Sequence, residues 1–145
     1  MAAYLHKRDN QKYWRVTELK ELFFYTLYAW MAYWDMGKIN PYTARRVKQQ
    51  TGIDITNYKL YLRSDELKHL LYRHFVETNA KQRGITIQDI EKLPEVVNHF
   101  TFVTPQEDDT LLFETRFPNN ETFVLVMEIK HNKRQLLGKS FRIKT

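Results

Sequence analysis

The run HFTFVTPQEDDTLLFETRFPNNETFVLVMEIKHNKRQLLGKSFRIK, His99–Lys144, decides the fold class. Its apolar residues recur at every second position, the period of a strand with one buried face. Three turn-rich breaks, PQEDD, PNNE and HNKR, divide it into HFTFVT, TLLFETRF, TFVLVMEIK and QLLGKSFRIK. Breaks this short join antiparallel neighbours, so the run predicts a four-stranded meander. Alternation then assigns faces. Leu111, Phe113 and Phe117 oppose Glu114 and Arg116, while Phe123, Leu125, Met127 and Ile129 oppose Glu128 and Lys130. On the last strand Leu137, Phe141 and Ile143 oppose Ser140, Arg142 and Lys144. If the apolar sides share one core, Glu114, Arg116, Glu128, Lys130, Ser140 and Arg142 share the other face. That face reads either as the wet side of a half-exposed sheet or as a binding surface.

Upstream the period is helical. Thr17 is placed to cap a helix reaching about Asp35, with Gly37 as its stop. Leu19, Phe23, Leu27, Trp30, Met31 and Trp34 form its stripe. Phe24, Tyr25, Tyr28 and Tyr33 fall on the remaining faces, so the helix is expected to be buried or shared with a partner. NPYTARRVKQQTG is a second helix, punctuated by Asn40, Pro41 and Gly52. YKLYL reads as a short strand or an extended linker. SDELKHLLYRHF, Ser64–Phe75, is another helix, with Ser64 as its cap and Asp65 and Glu66 in its positive first turn. Thr86 and Asp89 make a capping-box pattern for a last helix to about Val97, which Pro94 splits or kinks. Helices first and strands last predict an α+β domain: N-terminal helices followed by a four-stranded antiparallel sheet with one face covered.

Composition narrows the function classes. At 145 residues and 43% hydrophobic the chain holds one core. With no cysteine, it has no disulfide, thiolate-ligated zinc or thiol nucleophile, in keeping with a cytoplasmic setting. The most apolar run, LFFYTLYAWMAYW, has 13 residues, short of the roughly 20 of a membrane span, so no membrane association is expected. The net charge of +6 is uneven: residues 61–129 hold seven Lys+Arg against twelve Asp+Glu, whereas residues 130–145 hold six against none. A basic last strand beside an acidic middle suits a phosphate-binding surface.

From GIDITNYKLYLRSDELKHLLYRH through ITIQDIEKLPEVVNHFTFV, LLFETRF, FVLVMEIK and LLGKSFRIK, the chain resembles the phage-associated nuclease-like domains of the Barnase–EndoU–Colicin–RelE superfamily (PBECR, BECR fold). The resemblance covers about residues 52–145. It implies a nuclease domain over 53–145; residues 1–52 lie outside it and read as an N-terminal helical, aromatic-rich segment, packing on the domain or mediating assembly. It marks His69, His74, Glu114, Glu128, Lys139 and Ser140, and it implies RNA cleavage without a metal or other cofactor. Where related domains tend to have Gly after the second histidine this chain has Phe75, so its helix is free to run past His74.

Cleavage of that kind needs a general base, a general acid and cations around the phosphorus. The expected catalytic residues are His74, His69, Glu128 and Ser140, with Arg116, Lys139, Arg142 and Lys130 holding substrate. Five positions separate the histidines by roughly 140° around a helix, so both face one substrate only if the helix ends between them. His74 shares the register of Leu67, Leu70 and Leu71 and also reads as a half-buried packing residue. It nevertheless takes the larger expected share of catalysis, at a helix end beside a loop. His69 follows Asp65 by one turn, which makes an Asp/His pair. Their spacing does not suit a metal, whose helical histidine ligands sit at i and i+4. His6, His99 and His131 carry no pattern. The reading is a toxin-like or phage-related endoribonuclease acting on RNA, tRNA included, with a cognate inhibitor and a homodimer through the aromatic helix as expected partners. A non-catalytic RNA- or protein-binding module and a phage assembly protein are the alternatives.

Overall fold

The aromatic run does not form one helix. Helix α1 spans Leu19–Leu27, and from Ala32 to Lys38 the chain is strand β3. The computed structural model describes residues 8–9, 13–27, 31–76 and 82–145, with the side chains of 8–9, 72–76 and 82–83 outside the description. Tyr28 and Trp30 of the expected helix lie outside the described residues, as does His6. Ala32, Tyr33, Trp34 and Asp35 are all buried, so β3 is covered on both sides. A run that is apolar all round satisfies a buried strand as well as a buried helix, and Tyr and Trp lose rotamer freedom in a helix that a pleated surface leaves them. The stripe moves accordingly. Leu19, Leu22 and Tyr25 face the core, while Phe24, Leu27 and Met31 are exposed.

Strand β2 (Tyr13–Val16) pairs in parallel with β3, and α1 supplies the long crossover that parallel neighbours require. β1 (Arg8–Asp9) lies antiparallel on β2, and β4 (Lys59–Arg63) antiparallel on β3. Gly37, expected as a helix stop, instead turns the irregular end of β3 at φ 91, where its N–H bonds Asp35 Oδ1.

The closing strands form as the alternation predicts: β6 (Phe102–Gln106), β7 (Thr110–Arg116), β8 (Thr122–Lys130) and β9 (Gln135–Lys144) make an antiparallel meander. Pro105 is tolerated because β6 is an edge strand. The meander is only half of the sheet. β9 also pairs in parallel with β4, giving the order β1-β2-β3-β4-β9-β8-β7-β6, with β5 (Gln82–Arg83) antiparallel to the end of β9. The domain is α+β, but a mixed sheet, nine-stranded among the described residues and with two strands of only two residues, replaces the expected four-stranded antiparallel sheet behind N-terminal helices.

Among the described residues four more α-helices follow α1. α2 (Pro41–Thr51) has the expected ends: Asn40 Oδ1 accepts the Tyr42 N–H at 2.8 Å, and Gly52 closes it with φ 79. α3 (Ser64–Val76) does run past His74. Pro94 divides the last helical segment into α4 (Ile87–Glu91), opened by the Thr86/Asp89 capping box, and α5 (Leu93–Asn98). Buried residues of all five helices, including Leu22, Val47, Leu67, Ile90 and Val97, join Leu60, Leu111, Phe113, Phe123 and Leu136 of the sheet in one core. Each such side chain contributes about 1.5–3 kcal/mol. The sheet's opposite face carries no helix among the described residues.

One strand departs from strict alternation. Val126 pairs with Ser140 but Met127 pairs with Gly138, so Lys139 is an extra residue in β9. The bulge shifts the parity upstream of it. Leu136 therefore enters the main core with Phe141 and Ile143, and Leu137, expected there, turns to the open face and packs with Tyr13, Tyr33 and Tyr61.

Candidate active site

β4 and β9 run together only where Lys59–Tyr61 meet Gln135–Leu137. β4 then ends at Arg63 and the chain turns into α3, while β9 continues until Ile143 and Lys144 meet β5. Between these pairings β9 has β8 on one side and no strand on the other among the described residues. A β-carbon at Gly138 would lie 3.2 Å from Leu62 Cδ1, so β9 crosses the end of β4 at close range. The bulged Lys139 sits where the two strands part.

Its side chain gathers carboxylates. Lys139 Nζ donates to Glu66 Oε1, in the first turn of α3, at 3.1 Å and lies 3.6 Å from Glu128 Oε1 on β8. Glu128 Oε2 pairs with Lys130 at 3.2 Å. Beside them Arg63 Nε and Nη2 hold Asp65 Oδ1 and Oδ2 at 3.2 and 3.0 Å, and the guanidinium lies 4.9 Å from the Tyr13 ring centre. Burial pushes the Tyr13 phenol above its ordinary range and the Asp65 charge adds to this, against the opposing Arg63 and Lys139. The phenol keeps its proton and can donate a hydrogen bond.

Ser140 and Arg142 continue along the same face, opposite Val126 and Val124. Neither side chain has a hydrogen-bond or ion-pair partner among the described residues. A guanidinium beside a hydroxyl and an ammonium, with no acid paired to it among the described residues, is an arrangement that accepts an anionic oxygen. Register places Glu114 two strands from Arg142 in the same cross-strand row, through Val124, and Arg116 one row further on, beside Thr122. The Arg116 guanidinium lies 5.3 Å from the ring centre of exposed Phe102. The sheet thus brings Glu128, Lys130, Lys139, Ser140 and Arg142 together and leaves Arg116 at the margin.

His69 is exposed on α3, three residues after Glu66. Neighbours at that spacing have β-carbons about 5–6 Å apart, so His69 lies on the same side of α3 as Glu66. Asp65, expected beside His69, gives both oxygens to Arg63 instead. The backbone of α3 includes His74, whose side chain lies outside the described residues. His131, which carried no sequence pattern, shares a 2.8 Å hydrogen bond between its Nδ1 and the Tyr58 hydroxyl. Glu66, Arg63 and Tyr13 were missed as site residues. The adjacency Arg63-Ser64-Asp65-Glu66 at a strand–helix junction is the one available signal, because a bulge leaves no trace in alternation. Among the described residues no group of three or more His, Asp or Glu side chains is arranged to hold a metal ion.

An open sheet face thus carries cations, carboxylates and a hydroxyl at the point where β4 and β9 part. The chain belongs to the phage-Barnase-EndoU-ColicinE5/D-RelE like nuclease 3 family, whose model matches residues 37–145. No curated protein and no solved structure matches. This is a nuclease domain, and nucleic acid is its substrate class. No described helix is long and apolar enough to cross a membrane. The match begins within β3, so β2 and Tyr13 lie outside it.

Proposed function

We propose that the protein is an endoribonuclease that cleaves RNA by transesterification on the open face of β8 and β9. Glu128 accepts the proton of a ribose 2′-hydroxyl, whose oxygen then attacks the adjacent phosphorus. His69 acts as the general acid and gives a proton to the departing 5′-oxygen, leaving a 2′,3′-cyclic phosphate and a 5′-hydroxyl. Lys139 and Arg142 hold the phosphate oxygens, Ser140 donates a hydrogen bond to one of them, and Lys130 orients Glu128. The observation that carries this reading is the bulge, which puts Lys139 between Glu66 and Glu128, on the face that also carries Arg142. No step calls for a metal, and a toxin-like or phage-related role fits such an activity.

His69 is the histidine favoured by its place one turn beyond Glu66. Replacing Glu128 or His69 with Gln keeps a polar side chain of similar reach and removes proton transfer. Each variant is expected to lose roughly 10²-fold or more in kcat while keeping its fold. If the double variant cleaves RNA like the parent, the acid/base assignment is wrong.

A further inference from the structure

Phe102 is half exposed on the edge strand β6, an unusual place for a large apolar ring. Its neighbour Val103 is buried, so Phe102 points to the open face. Arg116 lies beside its ring, and its guanidinium has no carboxylate partner among the described residues. The geometry points to a second subsite here: Phe102 and Arg116 form a stacking platform for one base of a single-stranded RNA whose scissile phosphate lies at Lys139–Arg142. This rests on the ribonuclease reading and extends it from the reacting phosphate to a neighbouring nucleotide.

The spacing and the charges fit a strand of RNA crossing the sheet. Phe102, Glu114, Val124 and Arg142 form one cross-strand row, which at about 4.8 Å per strand puts Phe102 some 14 Å from Arg142. An extended single strand covers that span within a few nucleotides. The direct path is closed to phosphate by the Glu114 carboxylate. The adjacent row, Arg116, Thr122 and Lys144, has two cations and no acid. The backbone therefore follows Arg142, Lys144 and Arg116, and the base turns onto the Phe102 ring. Every base has a π-face, so the platform selects unpaired nucleotides rather than a particular base, and duplex RNA, whose bases are stacked inside, gains nothing from it.

Two measurements test it with the full chain. The first compares kcat/KM for a dinucleotide and for a single-stranded hexanucleotide. The parent is expected to prefer the longer substrate, Phe102→Ala to lose about tenfold of that preference, and Phe102→Trp to retain it. The second follows the fluorescence of 2-aminopurine placed at successive positions of the hexanucleotide on binding to the Glu128→Gln variant. One position is expected to be quenched, and Phe102→Ala in the same background removes that quenching. If the parent cleaves RNA and Phe102→Ala changes neither result, the platform is refuted and the ribonuclease reading stands. If the parent neither binds nor cleaves RNA, both fall together.

Discussion

Glu66 and Lys139, 73 positions apart in the chain, meet at 3.1 Å across the gap where β4 and β9 part. The contact ties the first turn of α3 to the bulge and balances a carboxylate that would otherwise face an incoming phosphate unopposed. Both side chains are partly exposed, so the bond contributes little to stability, about 0–1 kcal/mol. Lys139→Met should therefore cut RNA cleavage at least tenfold while leaving thermal unfolding nearly in place. A large drop in melting temperature with activity preserved would make Lys139 a structural residue.

Among the described residues Arg142 has no hydrogen-bond or ion-pair partner, so its substrate contact should register in the salt dependence of binding. One phosphate contact to a single strand contributes about 0.7 to the slope of log affinity against log salt. Arg142→Ala is expected to lower both affinity and slope by that one contact. An unchanged slope would place Arg142 outside the RNA path.

Asp35 makes a pH prediction. Burial would raise its carboxyl, but the Gly37 N–H, Arg15 and Lys59 together hold it below the usual carboxylate range. Arg15 and Lys59 approach at 3.0 and 3.4 Å. Because the folded value is the lower one, the stabilisation is present above the unfolded value of about 3.9 and is lost as pH falls through the folded value. Asp35→Asn should cost about 1–3 kcal/mol at neutral pH and flatten the acid limb of the stability curve below about pH 4. Equal acid sensitivity in parent and variant would assign that limb to other carboxyls.

Gly138 lies under the bulge, where a β-carbon meets Leu62 Cδ1 at 3.2 Å. Gly138→Val should cost about 1–3 kcal/mol by overpacking, and it should lower cleavage because it moves Lys139. Undiminished stability and activity would mean that β4 and β9 separate without consequence.

The meander was legible in the sequence because each of its strands has one wet face, and HNKR and PNNE are unambiguous breaks. The ends of α2, the capping box of α4 and the division at Pro94 were legible because each rests on local chemistry within four residues. β3 was not legible. Its aromatics are buried on both sides, so no period separates strand from helix there. The parallel pairing of β4 with β9 joins residues some 75 positions apart and leaves no local sign. On the open face, Glu128, Lys130, Ser140 and Arg142 followed from alternation. The positions of Leu136 and Leu137 did not, because one extra residue inverts the strand's parity. Glu66 entered the site only through that same bulge.

The most direct measurement is the identity of the ends produced from a single-stranded RNA by the parent protein in the presence of a chelator. Attack by a neighbouring 2′-hydroxyl, without a metal, leaves 2′,3′-cyclic phosphate and 5′-hydroxyl ends, and a single 2′-deoxy substitution abolishes cleavage at that position. Glu128→Gln should slow the appearance of those ends roughly 10²-fold. Cleavage that survives the 2′-deoxy substitution, leaves 5′-phosphate ends, or disappears with chelator and returns with a divalent ion would contradict transesterification at the Lys139 bulge.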